Sequence, residues 1–196
     1  MYSLVLRFCS QDIIVKKIEN FCRLNGPDYL PGREFKMNLL PQFSLPEGEH
    51  AKNLISVLQE ELIDFFGKDQ LQNQCVTLNS IGMKEGKKNK LFLNSEVSPT
   101  IYHAREKAIE ILQSFECKFN KPIAQNFYPR LNLFSPSNTL SFIHSINKAK
   151  SDFDFPVSIP VLDICLFRHT DYFSHLEGEV VSFETAPSTF VDAVAL

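Results

Sequence analysis

Two short segments pair a cation with an amide two residues further on: Lys36-Met-Asn38 and Arg130-Leu-Asn132. In an extended strand, residues two apart point to the same face. Each segment therefore presents one cation and one amide together, with Met37 and Leu131 turned the other way. Laying Glu34 to Pro41 over Tyr128 to Ser135 also aligns Leu39 with Leu133, a weak internal repeat. If the two halves pack about a pseudo-twofold axis, both cations and both amides meet in one groove. Such a groove suits a phosphate: guanidinium is a planar multidonor fork, ammonium a compact charge, and the amides add neutral donors and acceptors. The alternative is that both segments are chance patterns on solvated strand faces.

Few other residues have types and spacing that suggest chemistry. Phe35 immediately precedes Lys36, Tyr128 lies two residues before Arg130, and Tyr172 lies near the last strands. An aromatic face beside a phosphate can stack on a base. Core packing is the expected role of Phe35, while tyrosines often keep their hydroxyl at a surface or pocket. His169, after the apolar run Val161 to Phe167, is a candidate ligand contact with a loop histidine as the alternative, and His175 is similar. His50, His103 and His144 fall on or near helices at wide spacing, which gives no zinc pattern and no expected metal. Lys84, Lys87, Lys88 and Lys90 read as a solvated hairpin tip. There is no glycine-rich phosphate loop, Gly-x-Ser-x-Gly elbow or His-Glu-x-x-His helix, and no cofactor is expected.

The elements that must position these residues interleave. Tyr2 to Phe8 alternates as a strand, and Gln11 to Leu24 has helical spacing stopped by Asn25-Gly26-Pro27. Phe35 to Leu40 predicts a strand, and the prolines from Pro41 to Gly48 predict a loop. Leu54, Leu58, Leu62 and Phe65 predict a helix over Glu49 to Phe66 with Gly67 as its stop. Strands follow at Cys75 to Asn79 and Lys90 to Leu93. Ser98-Pro99 then opens a helix to Phe115, because Ser caps well and Pro suits the first helical position. Phe127 to Phe134 is the second motif strand, Ser135 to Ala149 a fourth helix, and Pro156 to Phe167 and Gly178 to Phe183 close the chain.

At 196 residues the chain fits one domain, 1–196, since domains run to roughly 100–200 residues. A hydrophobic fraction of 44% with 22% charged residues supports a sizeable core. A formal charge of -3 gives no basic field for long duplex nucleic acid, although a local basic pocket is compatible with it. The five cysteines lack a CxxC pair and read as reduced, buried thiols. No secretory leader is evident, and no apolar run approaches the roughly 18 residues of a membrane span, so no membrane association is expected and the expected address is the cytoplasm.

This order of elements, and the segments Phe35 to Phe43 and Pro129 to Phe134, resemble the two-histidine phosphoesterase superfamily, which includes RNA 2',3'-cyclic phosphodiesterases. The family carries a His-x-Thr or His-x-Ser signature in each lobe of a bilobal fold, and Val76 to Leu93, with a strand ending near Gly82, resembles its middle section. The resemblance implies an α+β fold: two pseudo-symmetric lobes of antiparallel sheet about a central groove, with helices outside. Carried over by position, the signature histidines fall on Lys36 and Arg130, and the Thr or Ser positions on Asn38 and Asn132. The family's acid–base couple needs groups that titrate near neutrality. Arg stays protonated and Lys has a reference pKa of about 10.4, although a buried Lys beside another cation is lowered. The expectation is thus a catalytically degenerate protein that binds a nucleotide, a cyclic nucleotide or a short oligonucleotide. The expected contacts are Lys36, Asn38, Arg130, Asn132, Tyr128, His169 and Tyr172. One alternative is an active phosphodiesterase on 2',3'-cyclic phosphate or 2'-5' linkages with altered acid–base groups, and another is a protein-interaction module.

Overall fold

Every described strand pairing is antiparallel, and four helices accompany the strands among the described residues. The structure, a computed structural model, describes residues 1–26, 34–70, 74–84, 89–136, 139–170 and 174–183. Tyr172 and the hairpin-tip residues Lys87 and Lys88 lie outside them. The strands are β1 (Tyr2–Phe8), β2 (Lys36–Asn38), β3 (Phe43–Ser44), β4 (Cys75–Lys84), β5 (Lys90–Val97), β6 (Lys118–Phe119), β7 (Arg130–Phe134), β8 (Val157–His169) and β9 (Ser174–Ser182). The helices are α1 (Ile13–Asn25), α2 (Ala51–Gln70), α3 (Pro99–Ser114) and α4 (Thr139–Asp152).

Local chemistry sets the helix ends. The Asp12 carboxylate accepts from the Ile14 and Val15 amides at 2.8 and 3.1 Å and opens α1. Gly26 closes it by donating to the Cys22 carbonyl at 2.7 Å, in a space where a Cβ would lie 2.7 Å from that oxygen. Ser98 caps α3 through the Ile101 amide, with Pro99 at the first helical position. Gly67 interrupts α2 with φ 67°, a region that glycine enters readily, so the expected stop is a break with the helix resuming beyond it.

Among the described residues, one sheet of nine strands runs β6-β3-β1-β8-β4-β5-β7, with β2 added to β1 and β9 to β8. β8 serves two half-sheets: residues 161–168 pair with β1 and residues 163–169 with β9, while residues 157–160 pair with β4. The sheet curls until β2, which pairs with β1, and β7, the last strand of the order, come within 8 Å of each other between Cα atoms without pairing. One face of the strands and the inward residues of the helices form a single core that includes Leu4, Leu6, Met37, Leu78, Leu93, Leu131, Ile164 and Leu166.

Two further features, both in the sheet, depart from the sequence expectation. β4 does not end near Gly82 but continues to Lys84, because Gly82 stands directly opposite Phe92, whose ring fills the place of its missing side chain. The expected loop from Pro41 to Gly48 contains the short strand β3, whose Phe43 is buried against Tyr2 and Phe119.

Candidate functional site

The motif strands sit side by side, and their alternation places both cation–amide pairs opposite the core. On β2, Met37 is fully buried, Lys36 is half-buried and Asn38 is exposed; on β7, Leu131 is buried while Arg130 and Asn132 are exposed. Buried polar groups fix this seam. Ser95 of β5 donates its hydroxyl to the Pro129 carbonyl at 3.0 Å and touches Met37 Sδ at 3.6 Å, linking the start of β7 to the centre of β2. Arg105 of α3, only 2% exposed, donates to the Leu39 carbonyl at 3.2 Å and the Ala124 carbonyl at 3.1 Å, and lies 4.7 Å over the Phe127 ring. It thereby ties the end of β2 to the segment that enters β7.

The β1–β8 register defines what shares a face with Lys36 and Asn38. Lys36 is opposite Arg7 and Asn38 opposite Val5, and across β1 these meet Asp163 and Cys165, with Phe167 opposite Ser3. Val5, Cys165 and Phe167 form their own buried cluster, and it contains no helix residue. Arg7 makes two bonds to Asp163, at 2.8 and 2.5 Å, and the Asp163 side chain is 1% exposed. This bond to Asp163 holds the Arg7 guanidinium above its ordinary pKa, so it stays charged. The Cys165 thiol donates to Asp163 at 3.0 Å, and burial, then the bond to that carboxylate, pushes its pKa far up.

The ammonium of Lys36 rests 3.8 Å from the centre of the Phe167 ring. His169, at the end of β8, is brought to the same place: its Nε2 is 2.7 Å from Ser3 Oγ and its Nδ1 3.0 Å from Ser174 Oγ. Burial lowers the His169 pKa first, and the positive charges of Lys36 and the amino terminus lower it further, so the imidazole is neutral at neutral pH. His169 is therefore a strand histidine beside Lys36, not a loop histidine.

On β7, the Arg130 guanidinium lies 4.4 Å over the Phe92 ring, with Asn132 directly opposite Phe92 in register. Next to it, Asn94 donates to Ser80 at 3.1 Å, and Thr77 meets Ser158 at 3.3 Å, which continues a polar row along that half-sheet. Tyr128 is 74% exposed, just before the strand. No group of three or more metal-ligating side chains occurs among the described residues.

Sequence reasoning missed Arg7, Asp163, Phe167, Phe92, Ser95 and Arg105. The available signal was an Asp in the otherwise apolar run Val161 to Phe167, which demands a buried partner, and a cation near the end of the apolar β1.

No family model and no curated protein matches the chain in sequence. In three dimensions the chain is similar to a crystal structure of a phosphoesterase, 12% identical, with 93% of this chain and 98% of that chain covered and a TM-score of 0.53. At that identity the likeness speaks to architecture, and its conclusion is that the chain has a phosphoesterase-like fold.

Proposed function

We propose that the face of the curled sheet opposite its main core binds the phosphate of a nucleotide, a cyclic nucleotide or a short oligonucleotide, and that the chain is not a conventional two-histidine phosphodiesterase. The observation that carries this reading is the adjacency of β2 and β7, each presenting a cation and an amide away from the core. In this reading the two half-sheets are the two lobes, Lys36 and Arg130 supply charge, Asn38 and Asn132 supply neutral hydrogen bonds, and Tyr128 stacks on a base at the rim. Lys and Arg as residue types have reference pKa values far from neutrality, so replacement of both signature histidines favours capture over turnover. The test is a thermal-shift and mass-spectrometric screen against cyclic mononucleotides, cyclic oligonucleotides and 2',3'-cyclic phosphates. Stabilisation with the ligand recovered intact, lost in the Lys36→Ala/Arg130→Ala double variant, is the expected result; no shift with any of them defeats the reading.

A second reading, slow opening of a cyclic phosphate, is favoured by one feature: neutral His169 beside Lys36 is an acid–base group that the signature positions lack. Water attack on phosphorus releases a proton that a neutral imidazole accepts, and the imidazolium so formed, or water, returns a proton to the ribose oxygen as its bond to phosphorus breaks. Ligand conversion that disappears in His169→Ala while binding persists would establish it.

A further inference from the structure

The two motif cations do not lean toward a common point. Lys36 reaches across β1 to the Phe167 ring on β8, whereas Arg130 reaches to the Phe92 ring on β5. In strand order these rings lie on opposite sides of the contact between β2 and β7. Phe167 is 4% and Phe92 5% exposed, so each ring is a fixed seat and not a mobile surface side chain. Attraction between a cation and a ring face strengthens as the pair loses water, which resists drawing both cations inward onto one anion. Between the two seats stand exposed Asn38 and Asn132, which offer amides and carry no charge.

We propose that this face holds a ligand with two separate phosphates, one at Lys36 and one at Arg130, with the sugar that joins them lying across Asn38 and Asn132. The proposal rests on the phosphate-binding reading above and narrows it. The fitting class is a dinucleotide bearing two phosphates, linear or cyclic, and a mononucleotide with one phosphate fills only half of the site. Once one phosphate is seated, the second binds as a tethered group at a high effective concentration, so two weak subsites combine into one tighter site.

The test compares three probes by calorimetry: adenosine 2',3'-cyclic phosphate, the dinucleotide ApA with its single phosphodiester, and the same dinucleotide carrying a 5'-phosphate. The expected result is that the 5'-phosphate tightens dinucleotide binding by about tenfold or more. Lys36→Met and Arg130→Met, checked for parental melting temperature, each bring that ratio close to one. Equal affinity for the two dinucleotides, with the cyclic phosphate weakened alike by both substitutions, places both cations on one phosphate; it overturns the two-phosphate proposal and leaves the broader reading standing. Absence of binding for all three probes overturns both together.

Discussion

Arg7 and Lys36 stand directly opposite each other across β1 and β2, an arrangement of like charges that destabilises a sheet. The fold relieves Arg7 through Asp163, with which it makes two charge-assisted bonds, and Lys36 spends its charge on the Phe167 ring and against His169. The consequence is measurable at His169. In the folded chain its pKa lies below the ordinary 6.5, so between the two values the unfolded chain binds more protons. Stability therefore rises with pH through that window; the contribution is complete above the ordinary value and is lost as pH falls through the folded one. Urea denaturation at pH 7 and pH 5 is expected to show a fall in stability on acidification that is smaller in His169→Gln. An NMR titration of Lys36→Ala is expected to move the His169 pKa upward, since one of its causes is removed while burial stays. A His169 that titrates above 6.5 in the parent chain sinks this account of the site's charge.

At the scale of elements, one cross-strand pair of the second half-sheet joins strand packing to the candidate site. Gly82 and Phe92 are register partners, and a Cβ on Gly82 would lie 2.1 Å from the Phe92 ring. The ring covers the glycine, a device that keeps a weak strand position packed. Because the same ring seats Arg130, Gly82→Ala has two expected effects. Overpacking costs about 1–3 kcal/mol in chemical denaturation, and phosphate affinity at the Arg130 side falls although Arg130 itself is untouched. Stability unchanged from the parent would show that the ring has another place to go. This pair also shows where the sequence stopped being legible. Alternation and caps marked β1, α1, α3 and the two motif strands, since each signal lies within a few residues. Gly82 reads as a strand end because its partner stands ten residues further along the chain. Strands β3 and β6, two residues each, have too little alternation to register at all. The cation–amide pairs of the candidate site were legible as local patterns. Arg105 and Ser95, which hold the two motif strands together, were not, because a helix Arg and a strand Ser carry no mark of a partner more than thirty residues off.

For the whole molecule, β8 is the element that makes the two half-sheets one body. Its first residues extend β4 while the rest lies between β1 and β9, so neither half-sheet can lose β8 without exposing the other's edge. The seam between β2 and β7, the buried Ser95 and Arg105 bonds, and a core cluster drawn from both half-sheets add to this coupling. The chain is therefore expected to unfold as one cooperative unit, and its cysteines report on it. Cys22 in α1, Cys117 after α3 and Cys165 in β8 are all buried, whereas Cys9 and Cys75 are half-exposed. Burial pushes the Cys117 thiol up to about 11 and the Cys165 thiol higher still, so neither forms a reactive thiolate in the folded chain at pH 8. Pulse alkylation with iodoacetamide across a urea series, with each site quantified by mass spectrometry, is expected to give one midpoint for Cys22, Cys117 and Cys165. That midpoint should coincide with the loss of the far-ultraviolet dichroism. Labelling of Cys165 at lower urea than Cys117 would mean that the half-sheet built on β1 and β9 opens by itself. In that case the two cations belong to parts of the chain that move separately, and a ligand spanning Lys36 and Arg130 would have to draw the halves together.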